Sequence, residues 1–176
     1  MLIYNPDIYH RNTNNSCRYA LGISGKNPLF VVGLNPSTAD DQKPDQTIKK
    51  VMGFAQRNGF DGFVMLNLYP KRTPYPDRLH KRFNKSIFQE NLARIKALLQ
   101  SHQQVTILAA WGEIINVRKY MKQCLTDLID VSQDLDANWV VIGDLTKSGH
   151  PRHPSRAPYN KKFQRFDVSS YSKKLK

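Results

Sequence analysis

Four short runs of apolar, β-branched and aromatic residues punctuate the chain: residues 29–33 (LFVVG), 63–67 (FVMLN), 105–110 (VTILAA) and 139–143 (WVVIG). They are nearly continuous rather than alternating, the pattern of strands whose two faces are both covered in a parallel sheet. Between them, apolar residues recur at helical spacing. Ile48, Val51, Met52 and Ala55 follow Asp45, a candidate helix cap, and precede Asn58-Gly59, a candidate stop. Phe88, Leu92, Ile95 and Leu99 form a second stripe, and Ile114, Val117, Met121 and Leu125 a third. Each parallel pair of strands needs a crossover, so this alternation predicts an α/β fold. The expected form is a three-layer α/β/α sandwich around a central, mainly parallel four-stranded sheet. Residues 1–28 read as an N-terminal extension in which Arg18 to Ile23 is a candidate edge strand. Residues 29–158 read as the α/β domain. Residues 159–176 lack apolar periodicity and read as a basic tail, disordered in part or ordered by a partner.

Length and composition narrow the class. A chain of 176 residues can bury roughly 70% of its unfolded surface and needs no covalent staples. Its two cysteines, Cys17 and Cys124, have neither finger spacing nor a disulfide framework, which fits a reducing compartment and inert thiols with no disulfide partner. The first residues lack the basic start and apolar stretch of a secretory signal, and no apolar run approaches the roughly 20 residues of a membrane span. A cytoplasmic location is expected, with no membrane partner. Net charge is +13, and residues 147–176 hold nine Lys/Arg against one acid, Asp167. Lys71, Arg72, Arg78, Lys81, Arg82 and Lys85 form a second cluster opposed only by Asp77. Such an excess favours polyanions, with nucleic acid or nucleotide as the expected partner.

Ligands of open parallel sheets bind at the carboxyl ends of the strands, so the residues there are read together. The first strand runs into Gly33-Leu34-Asn35-Pro36-Ser37-Thr38, the second ends at Asn67, the third at Trp111-Gly112, and the fourth leads to Gly149-His150-Pro151-Arg152-His153-Pro154-Ser155-Arg156. Glycines and prolines at these ends make tight turns that hold amide and imidazole side chains in place. Asn67 offers donors and an acceptor matching a nucleobase edge, His153 can donate to a developing anion, and Asn35 can hold a water. The same asparagines are good turn formers. His150 and His153, flanked by prolines and without a third ligand at matched spacing, do not define a metal site. Asp40 and Asp45, with Asp41, offer a second-tier general-base or magnesium reading, and equally a helix-capping one. Tyr69, Trp111 and Phe54 are candidates to stack a base, and each is also a candidate core residue.

The strings CRYALGI, LNPSTADDQKPDQTIKKVMGFAQRNGF, VMLNLYPKRTPYPDRL, AAWG and LTKSGHPRHP resemble an uncharacterised bacterial family, domain of unknown function 1643, from about Cys17 to Pro158. More distantly, GLNPS after a strand resembles the first motif of the uracil-DNA glycosylase superfamily, and HPSR its second. VMLN and AAWG fall between them in the order found there. The resemblance implies a glycosylase-like fold in which Asn35 positions a hydrolytic water, Asn67 reads the base edge and His153 stabilises the departing base anion. Gly33, Leu34, Pro36, Ser37, Tyr69, Trp111, His150, Arg152 and Ser155 would complete the substrate pocket. Lys71, Arg72, Arg156, Lys161 and Lys162 would meet the nucleic-acid backbone. Asn35 stands where the most active branch has Asp, and an amide orients water without accepting its proton. The four cysteines of the iron-sulfur branches are absent, so no cofactor is expected. The sequence therefore reads as a nucleobase-recognising protein that would hydrolyse an N-glycosidic bond. The alternatives are a non-catalytic nucleic-acid or nucleotide-binding module and an enzyme of free nucleotides.

Overall fold

The computed structural model describes residues 2–175. Its core is a run of four parallel strands, β3 (Pro28–Gly33), β4 (Gly62–Asn67), β5 (Thr106–Ala109) and β6 (Asn138–Ile142). The sheet is larger than the four strands expected. Two N-terminal strands, β1 (Ile8–Arg11) and β2 (Arg18–Ile23), add antiparallel beside β4, and a C-terminal strand, β7 (Phe163–Arg165), adds antiparallel beside β6. The seven strands lie in the order β1-β2-β4-β3-β5-β6-β7. β2 is buried along nearly its whole length, because β1 covers the edge it would otherwise present.

Helices α1 (Gln46–Arg57), α2 (Lys85–Gln100) and α3 (Tyr120–Gln133) make the three crossovers. Successive strand residues point to opposite faces, and the two faces feed two separate cores. Leu29, Val31, Phe63 and Met65 pack with Ile48, Val51, Phe54 and Ala55 of α1. Phe30, Val32, Val64 and Leu66 pack with Phe88, Ile95 and Leu99 of α2 and with Leu125 and Leu128 of α3. Asp45 caps α1 through its carboxylate, which accepts the Ile48 N–H at 2.9 Å, and Gly59 at φ 78° lets the chain leave the helix in a conformation that costs other residues about 1 kcal/mol or more.

Two segments differ from the reading of the pattern. Ile114 and Val117 do not continue α3 but lie in a separate 3-10 turn, Gly112–Val117, which starts where Gly112 takes φ 69° and leaves Ile114 46% exposed. The tail beyond residue 158 carries β7 and a short helix α4 (Val168–Lys174). Phe166, Val168, Tyr171 and Leu175 join the larger core; these four apolar residues in a run of polar ones are too few to show a period. No helix of the described residues is long and apolar enough to cross a membrane.

Candidate functional site

The sheet runs from β3 outward to β4, then returns across β3 to β5. The carboxyl ends of β3 and β5 therefore part at a topological switch point, where open α/β sheets form a ligand crevice. A cleft of about 940 Å³ opens there. It is walled by the ends of β3 and β5, by the first turn of α1, and by the loops after β4 and β6.

Gly33, Leu34, Asn35, Ser37, Trp111, Arg152, His153, Ser155, Arg156 and Asp45 all line this cleft. Asn35 is half-buried, and its amide nitrogen donates to the carbonyls of Pro36 at 3.0 Å and Thr73 at 2.8 Å. With the nitrogen tied to the backbone, the oxygen is left as the acceptor available to a water. His153 precedes the 3-10 turn Pro154–Arg156. Its Nδ1 faces the Ser155 hydroxyl at 2.8 Å and accepts the Ser155 N–H. With Nδ1 an acceptor, the neutral ring carries its proton on Nε2. Burial, helped by the neighbouring Arg156 and opposed by Asp45, holds His153 below the ordinary histidine pKa, so the neutral donor is the form present at neutral pH. Gly112 makes room for it, since a Cβ there would stand 3.3 Å from that of His153.

Asn67 is fully buried at the end of β4, and neither polar atom of its side chain has a hydrogen-bond partner. Asn67 does not itself line the cleft; a Cβ on Gly33, which does, would lie 2.7 Å from Met65 Cε and 3.1 Å from the Asn67 oxygen, so the amide sits beside the glycine but outside the cleft lining. Its backbone carbonyl is held by the Asn91 side chain at 2.9 Å. Buried amides that lack partners cost about 1–3 kcal/mol per group.

Other residues go elsewhere. The Trp111 indole belongs to the larger core and donates to Tyr171 Oη at 3.1 Å, so only its margin reaches the cleft. His150 turns away and pairs with the same Tyr171 hydroxyl at 2.7 Å. Tyr69 is a core residue bonded to His80, and Phe54 packs on Tyr159 and Phe163. None of the three proposed aromatics offers its ring face to the cleft. Pro36 is buried, does not line the cleft, and supplies a carbonyl to the Thr73 N–H. Asp40 caps a turn through Gln42 and Lys43, away from the cleft, while Asp45 is both the α1 cap and part of the wall. Lys71 lies on the β2 side and Arg72 binds backbone carbonyls there; Lys161 and Lys162 are exposed just before β7. Cys17 and Cys124 are buried and unpaired, with burial pushing both thiols up. Among the described residues no cluster of His, Cys, Asp or Glu is arranged to hold a metal ion.

The cleft also contains residues the sequence reading did not single out. Arg18, Met65, Thr73, Glu113, Thr146 and Lys147 line it. Only Arg18 carried a signal, as a charge at the head of an otherwise apolar strand.

Comparison with known proteins found no match among curated proteins or among solved structures. A family profile matches residues 18–155, from the first residue of β2 to the serine beside His153, and so takes in every cleft-lining residue but Arg156. The chain belongs to the family described as protein of unknown function (DUF1643).

Proposed function

We propose that the cleft recognises a nucleobase and hydrolyses the N-glycosidic bond that carries it, in the manner of a uracil-DNA glycosylase-like three-layer sandwich. One observation carries this reading: the buried, unpartnered amide of Asn67 beside Gly33. An amide is self-complementary to the lactam or imide edge of a base, and pairing would satisfy both orphaned atoms together. Asn35 and His153 supply the remaining parts. The Asn35 oxygen orients a water but takes no proton, and neutral His153 gives a hydrogen bond from Nε2 to the departing base anion; the water's oxygen bonds the sugar carbon as the N-glycosidic bond breaks, and the proton it loses is taken up by the departed base. Catalysis in this reading is electrostatic, through donors fixed before the charge develops. With no aromatic ring face in the wall, the base packs on aliphatic surface from Met65, Ile48 and Ile114. The cations around the opening, Lys147, Arg152 and Arg156, would meet phosphates.

Base release from single- and double-stranded oligonucleotides carrying uracil, hypoxanthine, xanthine or alkylated bases tests the proposal. Wild type should release at least one of them. His153→Ala should reduce release about a hundred- to a thousandfold, the usual loss for one such donor, with oligonucleotide binding retained, and Asn35→Ala should also be impaired. Release that is equal in His153→Ala and wild type removes His153 from the mechanism. Silence across the panel in folded protein removes the hydrolytic step.

A further inference from the structure

Arg18 is 2% exposed at the head of β2 and lines the cleft. Among the described residues its side chain makes one hydrogen bond, from Nη1 to the Ala39 carbonyl at 2.7 Å, and its Nε is buried with no partner. Among the described residues no carboxylate lies within 4.0 Å of it. The acid nearest in effect is Asp45, whose carboxylate already accepts the Ile48 N–H.

Two other arginines show what a purely structural guanidinium looks like in this protein. Arg72 bonds Ser37, Thr38 and Ala39 carbonyls, the Tyr9 hydroxyl and the Asn15 side chain. Arg118 is similarly saturated by the carbonyls of Asp77, Leu79, His80 and Val117. Both are less buried than Arg18. Arg72 already fastens the loop at residues 37–39, so that loop does not require Arg18. A more deeply buried guanidinium with one bond, an orphaned Nε and a second guanidinium close by is an arrangement in need of negative charge.

We infer that Arg18 is the receptor for an oxyanion, phosphate or carboxylate, carried by the ligand of this cleft. The planar fork suits a bidentate oxyanion, and about 940 Å³ lies near the upper end of the volumes of small-ligand sites, roughly 300–1,000 Å³. The ligand is therefore larger than a bare base and anionic, as a nucleotide is. This deepens the base-binding reading and rests on it only for the rest of the ligand.

Calorimetric titration with inorganic phosphate, with sodium acetate, and with a deoxynucleoside and its 5′-monophosphate tests the inference. Wild type, Arg18→Gln, Arg18→Lys and the rim variant Arg156→Gln are compared. Wild type should bind phosphate or acetate, and the better-bound anion tells which oxyanion the site takes. Arg18→Gln should weaken that binding on the order of thirtyfold and abolish any preference for the monophosphate. Arg18→Lys should recover part of both, and Arg156→Gln should change them only a few-fold. In parallel, the Arg18 Nε–H resonance of wild type should shift saturably with the bound anion, a readout that does not depend on any variant folding. Anion affinity indifferent to Arg18, or an Nε–H resonance that does not move, overturns the inference. Nucleoside binding with those two results would leave the base reading standing. Anion binding through Arg18 without nucleoside binding would sink the base reading alone.

Discussion

At Asn67 the protein keeps an amide inside its core with neither oxygen nor nitrogen bonded. Replacing both polar atoms by carbon of similar shape removes the burden, so Asn67→Leu should stabilise the unliganded protein by about 1–3 kcal/mol in urea denaturation while abolishing ligand binding. A destabilised Asn67→Leu would mean that the amide serves the fold. His153 gives a prediction in pH. Its folded pKa is depressed below the ordinary value of 6.5, chiefly by burial and then by Arg156, so in the window beneath 6.5 the unfolded chain binds the extra proton. Stability linked to His153 is complete above 6.5, falls as the pH is lowered through the window, and levels off below the folded pKa. Arg156→Ala should raise the His153 pKa, read by an NMR titration of its ring protons, and any base release that needs the neutral donor should lose its rate at correspondingly higher pH. An unmoved titration would show that Arg156 does not act on this ring.

At the scale of elements, the four parallel strands and the cap of α1 were legible because each rests on local signals: continuous apolar runs, and an aspartate placed three residues before Ile48. β2 was legible as a strand, though not as one lying inside the sheet, while β1 and β7 were obscure for a physical reason. Edge strands and their neighbours gain their place from pairing with distant segments, and β7, with only Phe163 half-buried, has almost no apolar content of its own. The same holds for α4, whose apolar core residues Val168 and Tyr171 gain their meaning from distant partners such as Trp111. Within the site, the strand-end asparagines and His153 could be read from position, whereas the fate of Trp111, Tyr69 and His150 depended on which face of the sheet they would take. The C-terminal elements are integral to that face. Tyr171 Oη accepts the buried Trp111 N–H and faces His150 Nδ1, so Tyr171→Phe should cost about 1–3 kcal/mol by leaving the indole donor unpaired. Stability equal to wild type in thermal denaturation would show that the α4 contact is incidental.

Across the whole molecule, the +13 net charge is distributed in a way the composition alone did not reveal. Lys147, Arg152 and Arg156 surround the cleft, Arg18 lies within its wall, and Lys161 and Lys162 are fixed by β7 at the same carboxyl-terminal end of the sheet. Lys81, Arg82 and Lys85 are exposed around the start of α2. Cations gathered at a concave site focus the potential there and draw in anions, an effect that a freely moving tail would spread. Asn67, which the proposed function makes the neutral recognition group, is buried beside Gly33 of this opening. The proposed function pairs charge for attraction with an amide for discrimination, and the role of the amide is open to a direct test. It is tested most directly by following the Asn67 side-chain amide resonances while free nucleobases and nucleosides are titrated into the folded protein. A saturable shift of the Asn67 amide pair is expected for at least one base, with that binding lost in Asn67→Leu. Resonances that stay fixed through the whole set of bases would contradict it.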